Sequence, residues 1–496
     1  MRAICGYATR SSDNCHFSSG GSGQTGRMRN TPPVDAFAAI WRPENPERRI
    51  TGTFTWDGEQ GSARVVGHLV DLDGITFGPG DLVRTYDLLH ANLDSTNYTL
   101  VGCREQIGSM YGDEVVSSAR ISCRVLIEGV HLDAIDDAFA AVVFRLDTAD
   151  DWLGRAGLSH SIRWKPTVRS EVVYEAGPND EAGTWMIADG VTTSLDEAPQ
   201  SIRTTLIHTL THRPPGGLGV RHALETVRSV QRFAALCTGR LPEANRVVLE
   251  HPTKTVGTKL NGEPAPETHP VYFAQDSTSR PKSRDVSPVT LAGLGGAGVL
   301  DRWLERHEQI RSVVSMIIAQ QAGEIPYLEQ MFINNALCAE LLDRHDRSSV
   351  NGGDVRVDAD QFARLSEAAL NAVDGTDREE LDRILRFANT PPLQQRLKRL
   401  AVTADPNRQT LFTGVKHGRW AQVTMSTRNA LTHADGVARD ERSQALHWLN
   451  VSVRWVVIVN VLAPLHTGIA HALLTSSGAR TAAVHLGGPS KRWVHT

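Results

Sequence analysis

The sequence predicts a multidomain α+β protein, with a strand-rich N-terminal domain followed by an all-α helical bundle. Three observations predict it. The chain has 496 residues, too many for one hydrophobic core. Up to about residue 212 short β-branched and aromatic runs alternate with Gly- and Asp-containing turns. From about residue 298 the apolar residues recur at helical spacing. The expected divisions are a flexible leader or extension at 1–44, a strand-rich domain at 45–212, and a helical and irregular connector at 213–297. A helical domain at 298–475 and a C-terminal tail at 476–496 complete them.

The elements follow in order. Residues 1–30 are rich in Gly and Ser and lack the apolar stretch of a signal peptide, hence the expected leader. Strands are predicted at 50–56, 63–70, 97–103, 119–132, 139–146, 184–190 and 202–212, and a mostly antiparallel sheet accommodates them economically. HRPPGG at 212–217 interrupts regular structure, and the period then turns helical over 220–239, with Val220, Ala223, Leu224, Val227, Val230 and Phe233 near one stripe. Extended runs at 246–250 and 271–275 either finish the first domain or belong to a small connector. The glycine-rich 291–300 has no phosphate-binding lysine and is expected to be a join into a helix. Helices are predicted at 298–320, 325–346, 358–373, 377–388, 391–403, 409–434 and 440–463, with Pro464 closing the last.

Composition narrows the function classes. The 40% hydrophobic and 22% charged fractions are ordinary for globular protein, and a formal net charge of −4 argues against a surface coated throughout with nucleic acid. A local RNA site is compatible with it, since binding depends on where arginines cluster. Six cysteines without a CxxC pair suggest reduced thiols in a cytoplasmic protein, with Cys123, Cys237 and Cys338 as core fillers. The most apolar late stretch, 455–465, is too short to span a bilayer, so no membrane partner is expected. No GxxxxGK[ST], GxSxG, HExxH or DxD-centred nuclease pattern occurs, and neither cofactor nor metal is expected.

The chemistry-bearing segment is TMSTRNALTHADG at 424–436. Arg428 and His433 are separated by about 7.5 Å of helical rise and about 140° of rotation. A long guanidinium swings along a helix to meet an imidazole, especially where Asp435-Gly436 loosens the final turn. Histidine exchanges a proton near neutral pH, arginine holds a phosphate and its developing charge, and Asn429 is a candidate to orient either. The combination suits 2′-hydroxyl attack on an RNA phosphodiester. Spacing alone is weak evidence, because Arg155/His160, Arg203/His208, Arg302/His307 and Arg442/His447 share it.

The segment resembles the Arg-x4-6-His signature of HEPN ribonucleases, in which a polar residue commonly follows the arginine. With GTFTW at 52–56, TLVGC at 99–103 and the block 125–154, residues 45–465 look like the ApeA-type HEPN proteins of abortive infection and phage defence. The resemblance implies an ApeA N-terminal-like sensor or regulator before a HEPN-like bundle. It also implies a metal-independent endoribonuclease acting on host or phage RNA, and a homodimer whose motifs share a cleft. A phage-derived protein is the candidate trigger. Glu340 is then a candidate to hold Arg428 toward phosphate, its alternative being a pair with Arg344 one turn away. Arg344, His345, Lys416, His417 and Arg419 are candidate RNA contacts, with a charged helix end and an exposed basic turn as the simpler accounts. Trp152 and Trp185 are expected in the core, and the polar group Glu128, His131, Asp133, Asp136 and Asp137 at a turn. The rival function is a non-catalytic HEPN bundle that dimerises beneath a ligand-recognising strand domain.

Overall fold

A computed structural model describes residues 35–69, 82–107, 118–147, 152–153, 160–163, 171–174, 180–196, 201–258, 264–275, 289–322, 325–348, 355–432 and 441–487. The chain divides into two compact units: 1–231 with 242–277, and 232–241 with 278–496.

The first unit is built on an antiparallel sheet that closes on itself at one end. Strands β1 (Ala36–Arg42), β2 (Asn45–Trp56), β3 (Gly61–Val66), β4 (Leu82–Leu93), β5 (Thr96–Ile107) and β6 (Ser118–Cys123) follow the order β5-β4-β1-β2-β3-β6. The last of these returns to β5, making a barrel. Closure depends on a change of partner within β5: Tyr98–Val101 pair with β7 (Val125–Glu128), whereas Arg104–Ile107 pair with β6. Gly102 lies between, at φ 64°, and Arg124 separates β6 from β7 while its N–H bonds to the Val101 carbonyl at 3.0 Å. Few residues other than glycine adopt that left-handed conformation without strain.

The barrel interior is narrow and its side chains fit accordingly. Ala36, Ala38, Ala63, Ala91 and Ala119 alternate with Ile40, Phe54, Leu89, Leu100 and Ile121, all buried. Gly61 completes the fit, since a Cβ there would stand 2.5 Å from Cys123 Sγ. Glu105 is the polar exception: fully buried, it accepts the Tyr86 hydroxyl at 2.6 Å and the Leu69 N–H at 3.1 Å.

From β7 the sheet continues through β15 (Pro264–Phe273), β14 (Ala244–Thr258), β8 (Ala141–Leu146), β13 (Ser201–His212), β12 (Trp185–Asp196) and β11 (Asp180–Ala182). A separate hairpin pairs β9 (His160–Arg163) with β10 (Glu171–Tyr174). Helix α1 (Val220–Thr238) buries the predicted stripe of Val220, Ala223, Leu224, Val227, Val230 and Phe233.

Two expected boundaries change. β1 lies inside the segment expected to be a leader, because a short run rich in small residues gives little strand signal until β2 and β4 pair with it. β14 and β15 belong to the main sheet, so the stretch expected as a connector finishes the first unit. Trp152 and Trp185 are buried as expected. The acidic group is a turn: Asp137 accepts the N–H groups of Asp133 and Ala134, and Glu128 accepts the Tyr272 hydroxyl.

The second unit is helical. Its elements are α2 (Gly298–Gln309), α3 (Arg311–Gln321), α4 (Leu328–Ser348), α5 (Ala359–Leu370), α6 (Gly375–Ala388), α7 (Leu393–Ala404), α8 (His417–Thr432), α9 (Glu441–Leu462), α10 (Ile469–Leu474) and α11 (Ser477–Gly487). The single helix expected at 298–320 breaks at Ile310, whose dihedrals of −119° and 25° leave the helical region while its side chain is buried. Neither glycine nor proline marks that break.

Helix α9 packs against α4, α7, α10 and α11. Asn335 of α4 donates to Asn450 of α9 at 2.7 Å, and eight residues onward Asp343 pairs with Arg399 of α7. The neighbouring Leu400 carbonyl accepts from Asn460, ten residues beyond Asn450, so α4 and α9 run parallel. The stretch Gln444–Leu465 is long and apolar enough to cross a membrane, but two-thirds of its most apolar window is buried (67%) within the bundle.

Candidate functional site

The site begins with the turn that launches α8. The carboxylate of Asp405, itself buried, accepts backbone N–H groups from Gln409, Thr410 and Phe412 at 3.0–3.1 Å. His417, the first residue of α8, bonds through Nε2 to the Asp405 carbonyl at 3.0 Å and meets Phe412 edge-on at 4.9 Å. Burial holds the His417 pKa below the usual imidazole value. One turn on, fully buried Trp420 donates from Nε1 to Ser452 Oγ of α9 at 2.9 Å. These bonds orient α8 ahead of its C-terminal end.

At that end Arg428 is partly buried and Asn429 exposed. The Arg428 guanidinium donates to Asn429 Oδ1 at 3.3 Å. Thr432 donates its hydroxyl to the carbonyls of Arg428 and Asn429 at 2.8 and 3.0 Å, satisfying acceptors that a helix terminus leaves open. His433 follows directly and lies outside the described residues.

The other candidates lie on α4 and at the start of α8, and α4 packs against α8. Glu340 accepts from Arg344 at 3.0 Å across one turn of α4, and among the bonds of the described residues none joins it to Arg428. His345 is partly buried on the same helix. Lys416 is exposed, and Arg419 donates to Gln422 at 3.2 Å. Both lie with His417 at the opposite end of α8, about 13–18 Å of helical rise from Arg428. That separation is too great for them to share one phosphate with it. His417 differs from both, because its ring closes the turn instead of facing solvent.

Two histidines of the matching-spacing pairs are buried, His208 and His307. The His307 pKa is pushed down to about 4 by burial, with Arg232 and Arg311 adding repulsion. A proton carrier at neutral pH needs neither that value nor that enclosure.

Several supporting residues carried no motif signal. Arg396, almost fully buried, donates to the Pro391 carbonyl at 3.1 Å and to Asp343 at 3.3 Å, and Asp343 also pairs with Arg399. Gln320, Asn335 and Asn450 form a buried amide chain. The Asp-Pro-Asn run at 405–407 is a turn signal that points to Asp405; the amide chain has no comparable local mark. Among the described residues, no group of three or more His, Cys, Asp or Glu is placed to hold a metal ion.

Comparison with known proteins adds two matches. Residues 37–287 match ApeA N-terminal domain 1, and residues 337–467 match the Apea-like HEPN domain, which includes α8 and the Arg428–His433 segment. No curated protein and no solved structure matches the chain. The barrel-containing strand unit, the helical unit and these two successive matches together establish that the chain belongs to the ApeA-like HEPN family of abortive-infection, anti-phage proteins.

Proposed function

We propose that the protein is a metal-independent endoribonuclease of anti-phage defence, with Arg428 and His433 as its catalytic pair and Asn429 as a positioning residue. The observation that carries this is Arg428, held at the end of α8 by Asn429 one residue away, with Thr432 capping the turn into His433. HEPN domains are usually ribonucleases and often dimerise, which supports the same reading.

The reaction needs only side-chain chemistry. His433 takes the proton from a ribose 2′-hydroxyl, whose oxygen then bonds to the adjacent phosphorus. The P–O5′ bond breaks, leaving a 2′,3′-cyclic phosphate on one fragment. The departing O5′ takes a proton to become the 5′-hydroxyl of the other. Arg428 holds the non-bridging oxygens as charge gathers on them. One imidazole serves poorly as base and acid at once, so the second His433 of a two-fold dimer supplies the acid. Arg419 and Lys416 would hold neighbouring phosphates of the same RNA. The strand unit is the sensor or regulator, with a phage-derived protein as trigger.

Purified protein incubated with total RNA, with and without EDTA and with phage extract, tests the proposal. Cleavage unaffected by EDTA and yielding cyclic-phosphate ends is expected. RNA binding without cleavage under every condition would instead assign the bundle a purely interactive role.

A further inference from the structure

The outer wall of the barrel carries side chains that the ribonuclease proposal does not use. Pairing register sets five of them in one row across five strands. Phe37 of β1 stands opposite Thr53 of β2, and Thr53 opposite Arg64 of β3. Arg64 stands opposite Arg120 of β6, and Arg120 opposite Gln106 of β5. All five are exposed, because strand residues alternate and their neighbours Ala36, Ala38, Phe54, Ala63, Val65, Ala119, Ile121 and Ile107 fill the core. A second row, Thr55, Ser62, Ser122 and Arg104, runs beside the first. Arg124 flanks it, its side chain 3.6 Å from where a Cβ on Gly102 would stand.

Four exposed arginines therefore share one wall: Arg64, Arg104, Arg120 and Arg124. Like charges directly opposite across a strand pair are destabilising, yet Arg64 and Arg120 are so placed. Among the described residues none of the four guanidiniums has an ion-pair partner. The carboxylate in register nearest the arginines is Asp87, beside Gly102 on β4, while at the Phe37 end of the row Asp94 accepts the Phe37 N–H at 3.1 Å; Glu105 points inward and is bonded to Tyr86 and Leu69. Hydroxyls and a side-chain amide fill the spaces between the cations. Such a wall is complementary to a ligand with repeated negative charge.

Phe37 decides which one. It is 62% exposed, at the end of the arginine row. Strand spacing puts it about 10 Å from Arg64 and about 14 Å from Arg120. An acidic peptide would engage the arginines and leave the ring unused. A single strand of nucleic acid uses both, stacking a base on the ring while successive phosphates meet the guanidinium forks.

We propose that this wall is a track for single-stranded nucleic acid, in which Phe37 stacks a base and Arg64, Arg120, Arg104 and Arg124 hold phosphates. It belongs to the strand unit and does not depend on the ribonuclease proposal. The test uses the full chain with fluorescein-labelled oligo-dT and 2′-O-methyl oligo-U, neither of which can undergo 2′-hydroxyl attack. Anisotropy titrations across a salt series give affinity and salt slope. Arg64→Gln with Arg120→Gln should reduce the slope by about 1.4, at about 0.7 for each phosphate no longer neutralised. Phe37→Ala should weaken binding about 5- to 100-fold at fixed salt with the slope unchanged. Arg383→Gln, an exposed cation of α6 outside both proposed sites, should bind as the parent does, and the double glutamine variant should melt no lower. Preference between the two probes reports whether DNA or RNA is the ligand. Parent-like affinity and slope in the wall variants would overturn the proposal, as would an equal loss of binding in Arg383→Gln. Displacement by polyglutamate as effective as by unlabelled oligonucleotide would assign the wall to an acidic protein instead. Absence of total-RNA cleavage by the parent protein, with oligonucleotide binding intact, would count against the ribonuclease and leave the track standing.

Discussion

Replacing His307 with phenylalanine tests the electrostatics of the helical unit directly. The ring is almost fully buried beside Trp303, at 5.3 Å, and its Nε2 has no hydrogen-bond partner among the described residues. Its pKa is pushed from 6.5 to about 4, chiefly by desolvation of the charged form. A depressed histidine pKa means that the unfolded chain binds the proton more readily than the folded one. Stability from the neutral ring is therefore present above about pH 6.5 and is lost as pH falls toward 4. A shift of about 2.5 units at 1.36 kcal/mol each gives a loss of about 3 kcal/mol. Phenylalanine keeps the ring and removes the proton, at an overpacking cost of about 1 kcal/mol or less. Hydrogen-exchange protection of α2 and α3 amides at pH 7 and pH 4.5 is the suitable assay, because a chain of two units does not guarantee two-state unfolding. Parent protein should lose more protection on acidification than His307→Phe. Identical losses would refute the assignment of that sensitivity to His307. The same variant should retain RNA cleavage at pH 7, separating this Arg-x4-His pair from the one at 428–433.

Other expected outcomes concern the site and its frame. Arg428→Ala and His433→Ala should each lower cleavage by about 10²–10⁴-fold while circular dichroism remains unchanged, and His447→Ala should keep most activity. Asp343→Asn should destabilise the helical unit by about 3–5 kcal/mol, because Arg396 is only 1% exposed and would keep its charge while losing the Asp343 carboxylate; denaturant unfolding followed by tryptophan fluorescence measures this. Equilibrium sedimentation should show a homodimer at the concentrations that give cleavage. A monomer with undiminished activity would remove the shared-cleft proposal.

Helices are the more legible elements. Each helix closes its hydrogen bonds within a few residues, so apolar spacing and terminators suffice to locate it. The stripe in Val220–Thr238 and the stop at Leu462 before Pro464 are visible in the letters. The proposed site residues Arg428, Asn429 and His433 can be picked out because they fall in one short segment. Strand runs were legible too, although their partners were not.

The tertiary structure decided what depends on distant residues. Barrel closure needs β5 to change partner at Gly102, and β1 becomes a strand only between β2 and β4. His417, which belongs to an exposed basic turn by composition, is buried because the Asp405 carbonyl lies beside its ring. The row from Phe37 to Gln106 crosses five strands and draws on residues from 37 to 120. A sheet takes its hydrogen bonds from other strands, and its register is set by long-range pairing that no local window contains.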